Sequence, residues 1–330
     1  MNTPAALLDV NQAATLLAAG QVVAIPTETV YGLAANADDA RAVAKIFSTK
    51  GRPADHPLIV HIQGAEQAAL YAAHIPAFAA QLMHAFWPGP LTLILPRRPE
   101  AAAAAAGGQS SIGLRAPAHP TAQALLQACA AQGVTGLAAP SANRFGKVSP
   151  TRAQHVADEF GTTVPILDGG ACAIGIESTI VDCTRGAPII LRPGHIRAEQ
   201  ITATLADGHA AAPPATTASA PAPKASGTLE AHYAPRAKLR LMTGLMIQTA
   251  LDVLGADAKH IAIYSRLVLR SASAQLVRRM PDDAEETARQ LFAVLREFDA
   301  QGATLIWVET PPADAVWDGV RDRLQRAAAA

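Results

Sequence analysis

Short clusters of hydroxyl, carboxylate and cationic residues recur along the chain beside glycine and proline. The first, Pro26-Thr27-Glu28-Thr29-Val30-Tyr31-Gly32-Leu33, follows a β-branched run and precedes a helical pattern. Hydroxyls, a carboxylate and a glycine after a strand are what an α/β site uses to orient a small polar ligand. A Thr-capped turn with Tyr31 packed inward explains the same residues. Lys50-Gly51-Arg52 puts two cations at a helix end. Arg52 can grip phosphate oxygens through its planar fork and Lys50 can act as a point charge, or the pair can simply complement the helix dipole. His56 and His61 bracket the run Pro57 to Val60; their spacing carries no metal signature, and a lone strand histidine is commonly a core residue.

Ser110-Ser111-Ile112-Gly113-Leu114-Arg115 reads as a strand ending in an arginine, which can clamp a carboxylate or pair with a structural acid. Ala138-Ala139-Pro140-Ser141-Ala142-Asn143 leads into Gly146-Lys147-Val148-Ser149-Pro150-Thr151. Such a loop can hold phosphate through backbone N–H groups and serines, and Ser149 can equally cap the helix expected over Arg152 to Glu159. Gly175-Ile176-Glu177-Ser178 and Leu191-Arg192-Pro193-Gly194 close the series. Lys50, Arg52, Arg115 and Arg192 all sit at element ends near Ser/Thr-rich loops, a pattern suited to an anionic small molecule such as a nucleotide with a carboxylated partner. G-x-S-x-G, H-E-x-x-H, Walker A and kinase signatures are missing, which removes support for nucleophilic hydrolysis and P-loop phosphotransfer.

The elements that must position these clusters come from the patterning. With 330 residues, half of them apolar and 16% charged, the chain has enough material for two cores and is not a disordered sequence. Short β-branched runs alternate with alanine-rich helical patterns from Val22 to Leu191, predicting seven strands in one α/β domain. Several connections are too short for crossover helices, so the sheet should be mixed. A Pro/Ala/Ser/Thr-rich stretch from Asp207 to Gly227 has no period and reads as a linker. Strands then recur at Leu239–Leu241, Ile261–Tyr264 and Thr304–Val308, with a helix capped by Asp283, as a second, smaller α/β unit. The expected division is 1–206, a linker over 207–236, and 237–330.

Lys plus Arg and Asp plus Glu number 27 each. A protein that lives by contact with a polyanion usually carries a basic excess, so strong direct nucleic-acid binding is not expected. Cys129, Cys172 and Cys183 lie far apart, giving neither a disulfide framework nor a zinc set. With no signal-like start and no strongly apolar 18-residue run, a cytosolic location and no membrane association are expected.

The order PTETVYGL, KGRP with HPLIVHI, GLRAP, APSAN with SPT, GIESTIVD and LRPG resembles the threonylcarbamoyl-AMP synthase family, the YrdC/Sua5 proteins. His232-Tyr233-Ala234-Pro235 and the smaller α/β unit after it resemble the extra domain of the long Sua5 form. The resemblance implies a YrdC-like twisted mixed sheet with helices plus a smaller, Rossmann-like C-terminal α/β domain. It implies condensation of L-threonine, bicarbonate and ATP to threonylcarbamoyl-AMP and pyrophosphate, the first step toward N6-threonylcarbamoyladenosine at tRNA position 37. Threonine would be held by Thr29, His61, Arg115, the Ala139 backbone and Ser178. ATP would be held by Arg52, His56, Ser111, Ser141, Asn143, Ser149, Arg192 and, from the linker, Tyr233. Lys50 and Arg52 would be catalytic, facing the phosphates. Mg2+ would accompany ATP with no protein metal site, and a threonylcarbamoyl-transferase complex would be a downstream partner. His56 stands where the family commonly has Asn, and Asp322-Arg323-Leu324 lacks the glycine-leucine-glycine run often seen ahead of it. Two other readings are a carbamoyl-adenylate-forming enzyme, which would need zinc-finger cysteines and an acylphosphatase module, and a non-catalytic RNA-binding module.

Overall fold

The computed structural model describes residues 7–207, 222–268 and 276–330; residues 208–221 of the expected linker lie outside them. The chain divides into two compact units, one of residues up to Phe145 with 150–173 and 177–228, the other of 146–149, 174–176 and Leu229–Ala330.

The first unit is built on a ten-stranded mixed sheet. Its strands are β1 (Leu7–Leu8), β2 (Val23–Ile25), β3 (Gly32–Asn36), β4 (Ile59–His61), β5 (Leu91–Pro96), β6 (Ser111–Arg115), β7 (Leu137–Ala138), β8 (Ile166–Leu167), β9 (Thr179–Asp182) and β10 (Ile189–Arg192). They lie in the order β1-β8-β2-β3-β7-β4-β6-β5-β9-β10. The mixed sheet is as expected, but β1, β3 and β7 were not among the seven predicted strands. Gly32-Leu33-Ala34-Ala35-Asn36 has little β propensity, and pairing with β2 and β7 overrides that preference.

Strand alternation sorts the side chains onto two faces. Ala24, Leu33, Ala35, Val60, Leu93, Leu114 and Ala138 join the larger core with Val43 and Ile46 of the helix Ala40–Lys50 and Leu82 of the helix Ala77–Phe86. Val23, Ile25, Ala34 and Leu137 face the other way and pack under the helices Val10–Ala18 and Pro120–Ala130. That second face continues across β4, β6, β5 and β9. There it lines a cleft of about 290 Å³ instead of meeting a helix, with Ile59, Thr92, Ile94, Ser111, Gly113 and Ile180 on its floor.

Helix ends follow local chemistry. Asp39 accepts from the N–H groups of Arg41 and Ala42 to open the second helix. Gly51, at φ +63°, closes that helix in the left-handed conformation glycine adopts at little cost. Ser149 is not a helix cap: the helix Ala153–Phe160 opens after Arg152 with no side-chain cap.

The second unit is a parallel sheet of β11 (Lys238–Met242), β12 (Ile261–Ser265), β13 (Leu276–Arg279) and β14 (Leu305–Glu309), in the order β11-β14-β12-β13. Asp283 caps the helix Ala284–Ala300 by accepting from Glu286 N–H, as its sequence predicts. At the carboxyl ends of these strands Glu309 accepts from Ser265 Oγ (2.6 Å) and from the N–H groups of Arg266 (2.8 Å) and Leu267 (3.0 Å). The protein's own carboxylate thus fills a position that open α/β sheets commonly offer to a ligand's anion. Residues 229–236 belong to this unit rather than to a linker, because the buried Tyr233 ring stacks on Phe292 at 5.5 Å and meets His232 edge-on at 4.2 Å. Among the described residues no helix is long and apolar enough to cross a membrane.

Candidate functional site

The sheet face that lines the cleft at Ile59, Ser111 and Gly113 also carries, two residues further along β4 and β6, a buried cluster around Arg115. In the parallel pair β4–β6, His61 lies opposite Arg115, so both side chains leave the same face of the sheet. Arg115 Nη1 donates to Thr29 Oγ1 at 2.8 Å and Nε to the Gly89 carbonyl at 3.2 Å, while Nη2 lies 2.6 Å from Glu28 Oε1. Thr29 is held in turn by Thr27 Oγ1 at 2.9 Å. Burial pushes Glu28 upward, and the Arg115 charge and hydrogen bond outweigh that, holding the carboxyl below its usual range. Ser178, just before β9, lies beside this face: its Oγ is 2.7 Å from Thr92 Oγ1 and accepts from Arg192 Nη2 at 3.2 Å.

Burial, reinforced by the nearby Arg115 charge, pushes His61 down to about 3, so its imidazole is neutral near pH 7. Because the folded-state value lies below the ordinary value near 6.5, the unfolded chain takes up this proton first. The group's contribution to stability is complete above roughly pH 6.5 and is lost as the pH falls toward about 3. Its slope is ~1.4 kcal/mol per pH unit. Urea midpoints measured between roughly pH 6 and pH 4 should therefore fall more steeply for the natural chain than for His61→Asn; equal slopes would remove this account of His61.

Along the cleft the cations are constrained. Arg192 donates from Nε (3.1 Å) and Nη2 (2.9 Å) to the Ser178 carbonyl, and from Nη1 to the Ser226 carbonyl at 2.8 Å. The segment that brings Ser226 there is tied down at Lys224, which exchanges two hydrogen bonds with the Gln109 amide (2.7 and 3.1 Å) and pairs with Asp55 at 2.8 Å. Arg52 is buried, donates from Nη2 to the Pro57 carbonyl at 2.9 Å, and sets its Cζ 5.5 Å from the Phe145 ring centroid. His56 meets the same ring edge-on at 5.3 Å. Burial and the Arg52 charge lower its pKa, favouring the neutral imidazole.

Lys50 is tied to the Ser141–Asn143 segment. Its ammonium is buried and donates to the Ser141 carbonyl at 2.6 Å and to the Asn143 carbonyl, so it pins the Ser141–Asn143 turn. Burial first, then Arg52, push its pKa well below the ordinary lysine value. Ser111, at the start of β6, lines the cleft. Ala139 donates its N–H to the Ile59 carbonyl at 3.0 Å, and the Asn143 side-chain amide donates to the Arg144 carbonyl at 2.7 Å. Ser149 and Tyr233, both buried, are part of the second unit; the Ser149 carbonyl accepts from Arg296 Nε at 3.4 Å.

The first unit therefore brings together Thr29, His61, Arg115 and Ser178, and places Ser111 and Arg192 along the same face. The reading by motif assigned no role to Glu28, Thr92, Gln109 or Phe145. Thr92 was findable from alternation within Leu91–Leu95, whereas Phe145 carries no signal beyond being an aromatic next to cations.

A cleft on a sheet face, with the buried guanidinium of Arg115 on the same face and Arg192 near Ser178, defines an α/β protein with a small-molecule site suited to anionic groups. Comparison with known proteins makes this specific. The Sua5/YciO/YrdC family model, described as telomere recombination, matches residues 15–194, and the model of the threonylcarbamoyl-AMP synthase C-terminal domain matches 196–329. The Pyrococcus abyssi threonylcarbamoyl-AMP synthase is 39% identical over 96% of this chain and 92% of its own length. The Bacillus subtilis enzyme of the same name matches at 39% with the same coverages. The crystal structure of Pyrococcus abyssi Sua5 complexed with L-threonine superposes with a TM-score of 0.84 at 36% identity, covering 97% of this chain and 94% of that one. The chain belongs to the threonylcarbamoyl-AMP synthase family, in the long Sua5 form that carries both domains, and it is an ATP-using synthase of that kind.

Proposed function

We propose that the enzyme condenses L-threonine, bicarbonate and MgATP into threonylcarbamoyl-AMP and pyrophosphate in the catalytic domain expected over residues 1–206, as the opening step of tRNA N6-threonylcarbamoyladenosine synthesis in the cytosol. The observation that carries this reading is the buried Arg115 fork, braced by Thr29 and flanked by neutral His61, on the sheet face that also lines the cleft, with Arg192 bonded to Ser178 nearby. Arg115 receives the threonine carboxylate, and Thr29, His61, Ser178 and the Ala139 backbone shape the rest of that pocket. Arg52, Arg192, Ser111, Ser141, Asn143 and His56 serve ATP, and Ser149 and Tyr233 are assigned to ATP by family resemblance. Lys50 acts through the Ser141–Asn143 turn it pins.

The bound α-ammonium first loses a proton to water; the amine nitrogen then bonds to the bicarbonate carbon with loss of water, leaving a carbamate. A carbamate oxygen then attacks the α-phosphorus while the bond to the bridging oxygen of pyrophosphate breaks. Since the carbamate is already an anion, the protein contributes positioning and charge stabilisation rather than a covalent nucleophile. Mg2+ would accompany the phosphates of ATP, whose charge it would neutralise. Pyrophosphate release from ATP should require both threonine and bicarbonate. Release with bicarbonate alone would favour a simple carbamoyl adenylate, and RNA affinity without release would favour a binding module.

A further inference from the structure

Glu28 takes no part in the reaction steps proposed above, yet it is only 7% exposed and stands against Arg115, the residue proposed for the threonine carboxylate. Its Oε1 lies 2.6 Å from Arg115 Nη2, and the Arg115 partners Thr29 and Gly89 fix the guanidinium plane from the other edges. We propose that Glu28 is a specificity-determining residue: its carboxylate receives the α-ammonium of the substrate while Arg115, which it orients, receives the α-carboxylate, so that the pocket selects a zwitterionic amino acid. This deepens the threonine reading and rests on it.

Charge balance supports the assignment. Glu28 and Arg115 cancel, His61 is a neutral imidazole, and the Cys172 thiol, which interacts with both, is pushed up to about 12 by burial and stays protonated. Glu28, Arg115, His61 and Cys172 thus carry no net charge among them before substrate arrives. A zwitterion keeps the set neutral, each end beside an opposite charge. A carboxylic acid lacking the amine would leave one uncompensated negative charge in a buried site, which is strongly disfavoured. Arg115 retains donor capacity for this task, since a guanidinium offers five N–H groups and only part of them are taken by Glu28, Thr29 and Gly89.

Calorimetric binding of L-threonine and of 3-hydroxybutanoate, which is threonine without its amino group, tests this on the full chain with ATP binding as the control for folding. The natural protein should prefer threonine by about a hundredfold or more, and Glu28→Gln should cut that ratio at least tenfold by weakening threonine more than the deamino acid. Because breaking a buried pair can prevent folding, Glu28→Asp is the second variant; it keeps the charge but withdraws it, and should lower the ratio by about fivefold. A ratio unchanged in a variant that still binds ATP overturns the inference and leaves Glu28 only as the brace of Arg115. A natural chain that binds ATP but not threonine would sink the threonine reading itself, and the inference with it.

Discussion

Arg52→Ala should lower threonine-dependent pyrophosphate release by about a hundred- to a thousandfold while leaving threonine binding unchanged, the usual loss when one preorganised cation or donor to developing charge is removed. The basis is how firmly this side chain is held: it is buried, bonded to the Pro57 carbonyl at 2.9 Å and packed with its guanidinium 5.5 Å from the Phe145 centroid. Its charge is therefore aimed before substrate arrives and requires no reorganisation during the reaction. Arg52→Lys should recover little, because an ammonium cannot reproduce a planar fork that stacks on a ring and bridges two oxygens. Steady-state release of pyrophosphate, with calorimetric threonine binding alongside, separates the two effects. Full turnover in Arg52→Ala would remove this residue from the phosphate site.

Arg115→Ala should act on the other substrate. A charge-assisted, buried contact to a carboxylate contributes about 3 kcal/mol, so the threonine KM should rise by about a hundredfold or more, with ATP affinity little changed. Stability falls as well. Glu28 would be left as a buried, uncompensated carboxylate, and removing one partner of such a pair typically costs about 3–5 kcal/mol. Thermal melting should show that loss, and part of it should return in the double variant Arg115→Ala/Glu28→Gln, in which no charge is stranded. An unchanged threonine KM in a folded Arg115→Ala protein would assign the carboxylate to another residue.

The strands that carry these residues were readable because β4, β5, β6 and β9 are β-branched runs of period two, and the same alternation marks which side chains face the cleft. β3 and β7 were not readable, since alanine, leucine and asparagine favour no strand and their pairing partners are distant in sequence. Site chemistry followed a similar division. Residue types at strand and helix ends singled out Arg115, Thr29 and His61, which the fold brings together, because each is fixed by a short local motif. Lys50 was expected at the phosphates. What the motif did not show is that its long side chain reaches carbonyls roughly ninety residues away, a destination set by how the Ser141–Asn143 turn folds back. Glu28 stood inside the first motif noticed, but its meaning depends on a guanidinium 87 positions later. Tyr233 was read as linker because prolines and alanines surround it, although an aromatic ring gains most from burial, which it finds between Phe292 and His232.

The central claim is a reaction at this cleft that joins threonine, one carbon of bicarbonate and AMP in a single product. Purified full-length protein incubated with carbon-13 bicarbonate, L-threonine and MgATP, quenched within seconds and analysed by mass spectrometry, tests it most directly. The expected product is one labelled adenylate whose mass contains threonine, the labelled carbonyl and AMP, formed in step with pyrophosphate and missing when threonine is omitted. A labelled adenylate that forms equally well without threonine, or pyrophosphate with no adenylate at all, would contradict it.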